Sequence, residues 1–342
     1  MTAPLTPGKL WGLRRIADRS GRFTMLAADQ RPPIFEIAAK PLGVAPSEAP
    51  FADVAAIKRL IVETLAEHAS AVLLDPNWAY PAAIDLVPRD RGLILTLEHH
   101  AFADEADGRR SADIPGWTVE GIRRLGADAV KVQAWDRPDS GEAARAHQET
   151  YVEACGRACA LDDIPFVFEL LLYPLGGDEG YATDPTRKAG LVVESVRHFA
   201  DPRFGVDLFK LESPIPAIAL PDPDGSAAGA AQAEFDKLAD AVGSRPWVML
   251  SAGAEGPAFA RVLRYALRAG ASGFLAGRAI WRESFTAWPD VAACRASLKS
   301  HAVPYLRTLN EMTGAQAAPW KPPTLRMPER AGEFVETYRP GR

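Results

Sequence analysis

The chain has 342 residues, a formal net charge of −5 and a hydrophobic content of 47%. That length exceeds the usual single domain but suits an α/β barrel, and it supports a core that needs no disulfide or metal staple. The slight acidity gives nucleic acid no basic surface, no apolar run is long enough to cross a membrane, and three cysteines exclude a disulfide framework.

Met1 to Leu10 lacks the apolar core of a signal peptide, so a cytoplasmic protein is expected. Phe23-Thr24-Met25-Leu26-Ala27-Ala28-Asp29 reads as a first strand ending in an acid, with Gln30-Arg31-Pro32-Pro33 directly after it. A polar cluster at the end of an apolar strand is what a strand-end site shows. Asp53 is expected to cap a helix whose Val54, Ile57, Leu60, Ile61 and Leu65 recur at helical spacing. Ala71 to Asp75 and Leu93 to Glu98 give the second and third strands. A helix over Val119 to Leu125 feeds the fourth, Ala127 to Val132, which carries Lys131.

A long helix over Gly141 to Leu161 follows. It places Cys155 and Cys159 on one face, where they read as buried thiols. Phe166 to Leu171 is the fifth strand and contains Glu169. A helix over Pro185 to Phe199 precedes the sixth, Val206 to Leu211, which carries Lys210 and is stopped by Pro214. Gly225 to Ala231 reads as a loop running into a helix. Trp247 to Ser251 is the seventh strand, followed by Gly253 and Gly256. A helix over Pro257 to Ala269 leads to the eighth strand, Ala271 to Ala276, closed by Gly277-Arg278.

Eight short apolar runs alternating with amphipathic helices mean a parallel sheet covered on its outside, and eight of them predict a closed (β/α)8 TIM barrel. An open doubly wound sheet is the rival. No Gly-x-Gly-x-x-Gly turn follows the first strand, which counts against its dinucleotide-binding form. The predicted organisation is a single domain: an N-terminal segment over 1–22, a barrel over 23–300 and a C-terminal extension over 301–342. The proline- and charge-rich tail from Gln316 is expected on the surface or against a neighbouring subunit of a homo-oligomer.

In such a barrel reactive groups gather at the C-terminal ends of the strands. There the sequence puts Asp29, Asp75, Glu98, Lys131, Glu169, Lys210, Ser251 and Arg278. Burial disfavours an ammonium, as does a second ammonium nearby, and a neutral amine is the form that attacks a carbonyl to make a Schiff base. Lys131 and Lys210 lie on strands of the same parity, so both can face one site. Spacing alone does not choose the nucleophile between them. The bland readings are that Lys210 pairs with Glu212 and Lys131 with Glu169. Glu169, between the lysines, is the best general acid/base, and Asp29 is placed to orient a substrate hydroxyl or share its proton. Asp75 and Glu98 read equally well as structural acids. Ser251-Ala252-Gly253 and Ala276-Gly277-Arg278 fit a tetrahedral-oxyanion site, phosphate or sulfonate, with glycines opening the backbone and an arginine forking onto the anion. His99 and His100 are adjacent, so their side chains diverge if the strand continues and only one can ligate. A metal-dependent lyase or isomerase is the competing chemistry, and a non-catalytic sugar-phosphate sensor the competing class.

Taken together, Leu26 to Arg31, Gly126 to Lys131, Phe168-Glu169, Asp207 to Glu212, Leu250 to Gly253 and Ala276 to Trp281 resemble the class I tagatose-1,6-bisphosphate aldolase family, whose relatives include sulfofructose-phosphate aldolases. The resemblance runs from about residue 23 to residue 282. It implies that Lys210 carries the Schiff base, assisted by Lys131 and Glu169, and that Asp29 acts on the substrate. It also implies phosphate binding by Ser251, Gly253, Gly277 and Arg278; Gln30 and Arg31, in the strand-end cluster, are expected to contact the substrate, and neither metal nor cofactor is expected. The substrate it implies is a small ketose phosphate cleaved to dihydroxyacetone phosphate and an aldehyde. Val132-Gln133-Ala134-Trp135-Asp136-Arg137 and Pro32-Pro33 depart from the family's usual segments at the expected distal half of the pocket, so the sugar is expected to differ while the chemistry is kept.

Overall fold

All eight apolar runs become parallel strands of one closed barrel in the computed structural model, which describes residues 5–324 together with 330 and 332. They are β1 (Phe23–Ala27), β2 (Ala71–Leu74), β3 (Gly92–Thr96), β4 (Ala129–Trp135), β5 (Phe166–Leu171), β6 (Leu208–Leu211), β7 (Trp247–Met249) and β8 (Gly273–Ala276). Neighbours pair in chain order, and β8 closes onto β1 through Phe23 opposite Gly273. That closure needs a glycine: Gly273 has φ 144°, and a Cβ there would lie 1.9 Å from the Phe23 carbonyl oxygen.

The period-2 alternation of a strand divides the barrel into two cores. Leu26, Val72, Leu95, Val130, Phe168, Phe209 and Phe274 point outward and pack with the surrounding helices. Phe23, Met25, Ala27, Leu73, Ile94, Ala129, Val167, Leu208, Val248 and Leu275 point inward and fill the lower barrel. Continuing the inward parity up each strand leads to Asp29, Thr96, Glu98, Lys131, Gln133, Glu169 and Lys210. The polar layer is thus dictated by the same alternation that builds the dry plug beneath it.

The helix Pro7–Ile16 closes the lower end. Its Leu13 and Ile16 are fully buried against the inner core. It can lie that close because Gly12 has no side chain; a Cβ there would meet the Asp128 carbonyl oxygen at 2.2 Å. Trp320 joins the same floor, 6.2 Å from the Phe23 ring, so this part of the tail lies under the barrel. Residues 325–329, 331 and 333–342 of the predicted extension lie outside the described residues. The helix Val303–Gln316 packs on the outer helices Phe51–Leu65 and Gly256–Arg268.

The long helices fall where their periodicity puts them, at Glu142–Leu161, Pro185–Phe199 and Gly256–Arg268. One detail is corrected. Asp53 does not cap its helix, which starts at Phe51 with Pro50 as the cap residue. Asp53 lies in the first turn instead, where a negative charge still suits the helix dipole. Cys155 and Cys159 are buried and free, and burial pushes both thiols up.

Candidate active site

Lys131 stands at the centre of the polar layer. Its Nζ contacts Asp29 Oδ2 at 3.0 Å, Glu98 Oε1 at 2.7 Å and Glu169 Oε2 at 2.7 Å. Lys210 Nζ donates to the same Glu169 oxygen at 2.9 Å. One carboxylate oxygen therefore bridges the two amines. In register, Gln133, Glu169 and Lys210 are neighbours across β4, β5 and β6, so these groups share a level of the barrel.

Asp29, Glu98, Lys131, Glu169 and Lys210 are all buried. Burial alone would drive the carboxyls to their neutral form and the lysine to its free amine. Around Lys131 the pairing outweighs it: against burial, Asp29, Glu169 and Glu98 hold this ammonium firmly protonated. Burial likewise pushes Asp29 and Glu169 up, but Lys131, then Lys210, pull both down, Asp29 well below the usual carboxylate range. Asp29, Glu169 and Lys131 are thus fixed as ions. Glu98 is held on both oxygens, by Lys131 and Arg31 on one and by Thr96 and the Gln133 N–H on the other. Asp29 Oδ1 takes no hydrogen bond from the protein among the described residues, and neither does the buried Gln30 Oε1.

The remaining strand-end residues divide. Arg31 is buried with both terminal nitrogens engaged, on the Asp29 carbonyl at 2.8 Å and on the Glu98 carbonyl and carboxylate at 2.9 and 3.1 Å. It orients the acids around Lys131. Asp75 takes its structural reading: it pairs with the fully buried Lys58 at 2.6 Å and accepts the Asn77 and Trp78 N–H groups. Glu212 does not pair with Lys210; its partner is Lys188, at 2.9 Å. His99 and His100 do not diverge. The strand has ended at Thr96, and their rings lie 4.5 Å apart, with His100 packed edge-on against Phe35 and Trp78.

On the β7–β8 side the backbone is bent to present N–H groups. Ala252 has φ 47° and Gly253 φ 82°, a left-handed pair in which the alanine is strained. A Cβ on Gly253 would lie 3.4 Å from Arg278 Nη1, so the loop runs directly over that guanidinium. Gly277 is equally confined, since a Cβ there would meet the Ala27 carbonyl oxygen at 2.4 Å and Gln30 Nε2 at 2.9 Å. Burial lowers the affinity of Arg278 for its proton, and Glu169 and Asp29 act on it from the mouth in the opposite sense. Among the described residues no carboxylate reaches ion-pair distance of Arg278. The guanidinium borders a cavity of about 730 Å³ that Lys40, Gly253 and Arg282 also line.

Sequence reasoning missed two residues that matter here. Glu98 was visible as a strand-end acid, and the inward parity of Ile94, Thr96 and Glu98 was the signal that would have placed it in the site. Lys58 gave no signal, because a lysine in an amphipathic helix looks like a solvated position. Among the described residues no three His, Cys, Asp or Glu side chains are arranged to hold a metal ion.

A (β/α)8 barrel that fixes paired amines and carboxylates above a dry plug, beside an unpaired arginine, is built as an enzyme acting on a small polar molecule. Residues 23–283 match the DeoC/LacD family aldolase pattern. The tagatose 1,6-diphosphate aldolase of Lactococcus lactis subsp. lactis is 30% identical over 330 residues, covering 92% of this chain and 98% of that one. The enzyme of the same name from Staphylococcus aureus strain MSSA476 is 30% identical over 327 residues, covering 92% and 97%. In three dimensions the chain is similar to an archaeal fructose 1,6-bisphosphate aldolase, with a TM-score of 0.58 and 21% identity over 90% of this chain and 99% of that one. The chain belongs to the DeoC/LacD family of aldolases, and it is a carbon–carbon lyase.

Proposed function

We propose that the protein is a class I aldolase that cleaves a ketose bisphosphate, such as tagatose 1,6-bisphosphate or a sulfonated counterpart, to dihydroxyacetone phosphate and an aldehyde. The relatives named for tagatose 1,6-diphosphate support the substrate class. One observation carries the assignment of roles: Lys131 is bound by three carboxylates, whereas Lys210 shares one. A nucleophilic amine must shed its proton, and Lys210 has fewer ion pairs to break in doing so.

Lys210 gives its proton to the adjacent Glu169 and attacks the C2 carbonyl, forming a carbinolamine. Lys131, fixed as an ammonium, hydrogen-bonds to the carbinolamine oxygen, Glu169 returns its proton to that oxygen, and water leaves to give the iminium. Glu169, with Asp29, takes the proton of the C4 hydroxyl; Asp29 Oδ1 is the free acceptor there. The C3–C4 electron pair moves into the iminium, the aldehyde departs, and Glu169 passes the proton it took on to C3 of the resulting enamine. Water then releases dihydroxyacetone phosphate and restores the amine. Ser251, Gly253, Gly277 and Arg278 hold the C1 phosphate. Gln30 lines the substrate, and Arg31 acts through Glu98 and Asp29 rather than as a direct ligand. The protein works in the cytoplasm as a homo-oligomer, with neither metal nor cofactor.

Borohydride reduction in the presence of dihydroxyacetone phosphate tests this. The expected result is one stable adduct on Lys210, formed equally well in EDTA and absent from Lys210→Ala. Trapping that survives Lys210→Ala, or cleavage abolished by chelator and restored by a divalent ion, would overturn it.

A further inference from the structure

We infer that Arg109 binds a terminal oxyanion at the far end of the substrate's carbon chain, the end that departs with the aldehyde; this rests on the Schiff-base reading above. Arg109 lies on a two-stranded hairpin, Ala103–Glu105 with Gly108–Arg110, inserted after β3. Its guanidinium carbon is 4.4 Å from the ring centre of Phe102, 4.7 Å from Trp135 and 4.9 Å from Tyr173. Three aromatic faces hold the cation in one orientation. Such stacking occupies the flat faces of a guanidinium and leaves its N–H edge to form hydrogen bonds.

The box stands over the mouth. Trp135 continues the inward parity of Ala129, Lys131 and Gln133, and the Tyr173 ring, just past the end of β5, lies 6.4 Å from it. Trp135 pairs with Leu171, two residues above the level shared by Gln133, Glu169 and Lys210. Two strand residues rise about 6.6 Å, of the order of the run from an iminium at C2 to a substituent on C6. The barrel order places the β3–β5 side across from the Gly253 and Arg278 socket, so the two guanidinium groups face the two ends of an extended ketose.

The mounting is built rather than incidental. The Arg109 N–H donates to the Tyr173 hydroxyl at 3.1 Å, the Gly141 N–H to the Asp107 carbonyl at 2.7 Å, and the Ser111 N–H to Gln148 Oε1 at 2.8 Å. Gly108, at φ 142°, admits no side chain, because a Cβ would meet the Tyr173 hydroxyl at 2.5 Å. Among the described residues the one carboxylate paired with Arg109 is Asp104, on the facing hairpin strand at 3.3 Å and 54% exposed, while Arg109 itself is 15% exposed. An exposed pair of that kind is weak and easily exchanged. The terminal anion displaces Asp104 from an arginine already held in place.

Phosphate monoester and sulfonate offer the same tetrahedral oxygens, so the test uses three substrates: a ketose 1,6-bisphosphate, a 6-deoxy-6-sulfo-ketose 1-phosphate, and a ketose 1-phosphate with a C6 hydroxyl. Arg109→Gln is expected to lower kcat/KM for the two substrates with an anionic terminus, relative to the third, by about 10- to 100-fold, through KM. Arg109→Lys keeps the charge and loses the fork, and gives a smaller selective loss; it serves if the glutamine variant unfolds the hairpin. The anion whose selectivity falls further identifies the terminal group. A loss shared equally by all three substrates, or none, would overturn the inference. Absence of the borohydride adduct in the unmodified protein would instead sink the Schiff-base reading.

Discussion

Replacing Lys131 with methionine removes the central cation and leaves its surroundings in place. The side chain it loses is 2% exposed and contacts three carboxylates that are each no more than 9% exposed. Removing one partner of a buried ion pair costs about 3–5 kcal/mol, because an uncompensated charge stays behind. Here Asp29, Glu98 and Glu169 would remain, with Lys210 and Arg31 the cations still in contact and Arg278 acting from farther off. The sign of the pH dependence distinguishes this from simple loss of packing. In the unmodified protein Asp29 and Glu169 titrate below their unfolded values, so their contribution is present at neutral pH and lost only as pH falls through the lowered folded values. In Lys131→Met at least one of the carboxyls titrates above its unfolded value. Its contribution is then present in acid and lost as pH rises. Urea unfolding of both proteins at pH 8 and pH 5 reads the difference, other groups cancelling between them. We expect a gap of about 3–5 kcal/mol at pH 8 that narrows by at least about 1 kcal/mol at pH 5, one pKa unit of differential binding being worth about that much. A gap equal at both pH values would show that Lys131 does not neutralise the acids around it.

Gly277→Ala places a methyl group 2.4 Å from the Ala27 carbonyl oxygen, which also accepts the Trp281 indole N–H. Crowding of that kind costs about 1–3 kcal/mol, so the variant should melt lower and gain less from added inorganic phosphate; unchanged melting would refute the tight fit. His100 is held near 4, by burial first and then by Arg31 and His99, against an ordinary value of 6.5, with Asp75 and Lys58 the further charges acting on it. The unfolded chain therefore takes up this proton first as pH falls, and stability drops between about 6.5 and 4. His100→Gln should flatten melting temperature against pH across that window, and an unaltered slope would exclude His100 as its source.

The barrel was legible because each strand is a short apolar run flanked by helical spacing, a signal that needs no tertiary information. The site was legible to the extent that it followed from strand ends. Lys131, Glu169, Lys210 and Asp29 lie together because strand parity continues past the hydrophobic plug. Partnership was not legible. Nothing local distinguishes Glu212, drawn outward to Lys188, from Glu98, drawn inward to Lys131 and Arg31. Asp75 ends its strand with the same parity as Asp29, yet Lys58, from a helix, claims it. For His99–His100 the condition was not met: divergence was expected only if the strand continued, and it stops at Thr96. The hairpin carrying Arg109 has no apolar alternation of its own and takes its shape from Tyr173 and the helix beneath it.

The helix Pro7–Ile16 has one more effect. Leu13 and Ile16 extend the packed inner core downward, so among the described residues the site opens only at the strand-end mouth. Reactant entry, water for the hydrolysis and both departures share that passage, so the fragment without a covalent tether must clear it before the tethered one is set free. The plug and the helix beneath it thereby leave the sequence of exits to the covalent tether alone.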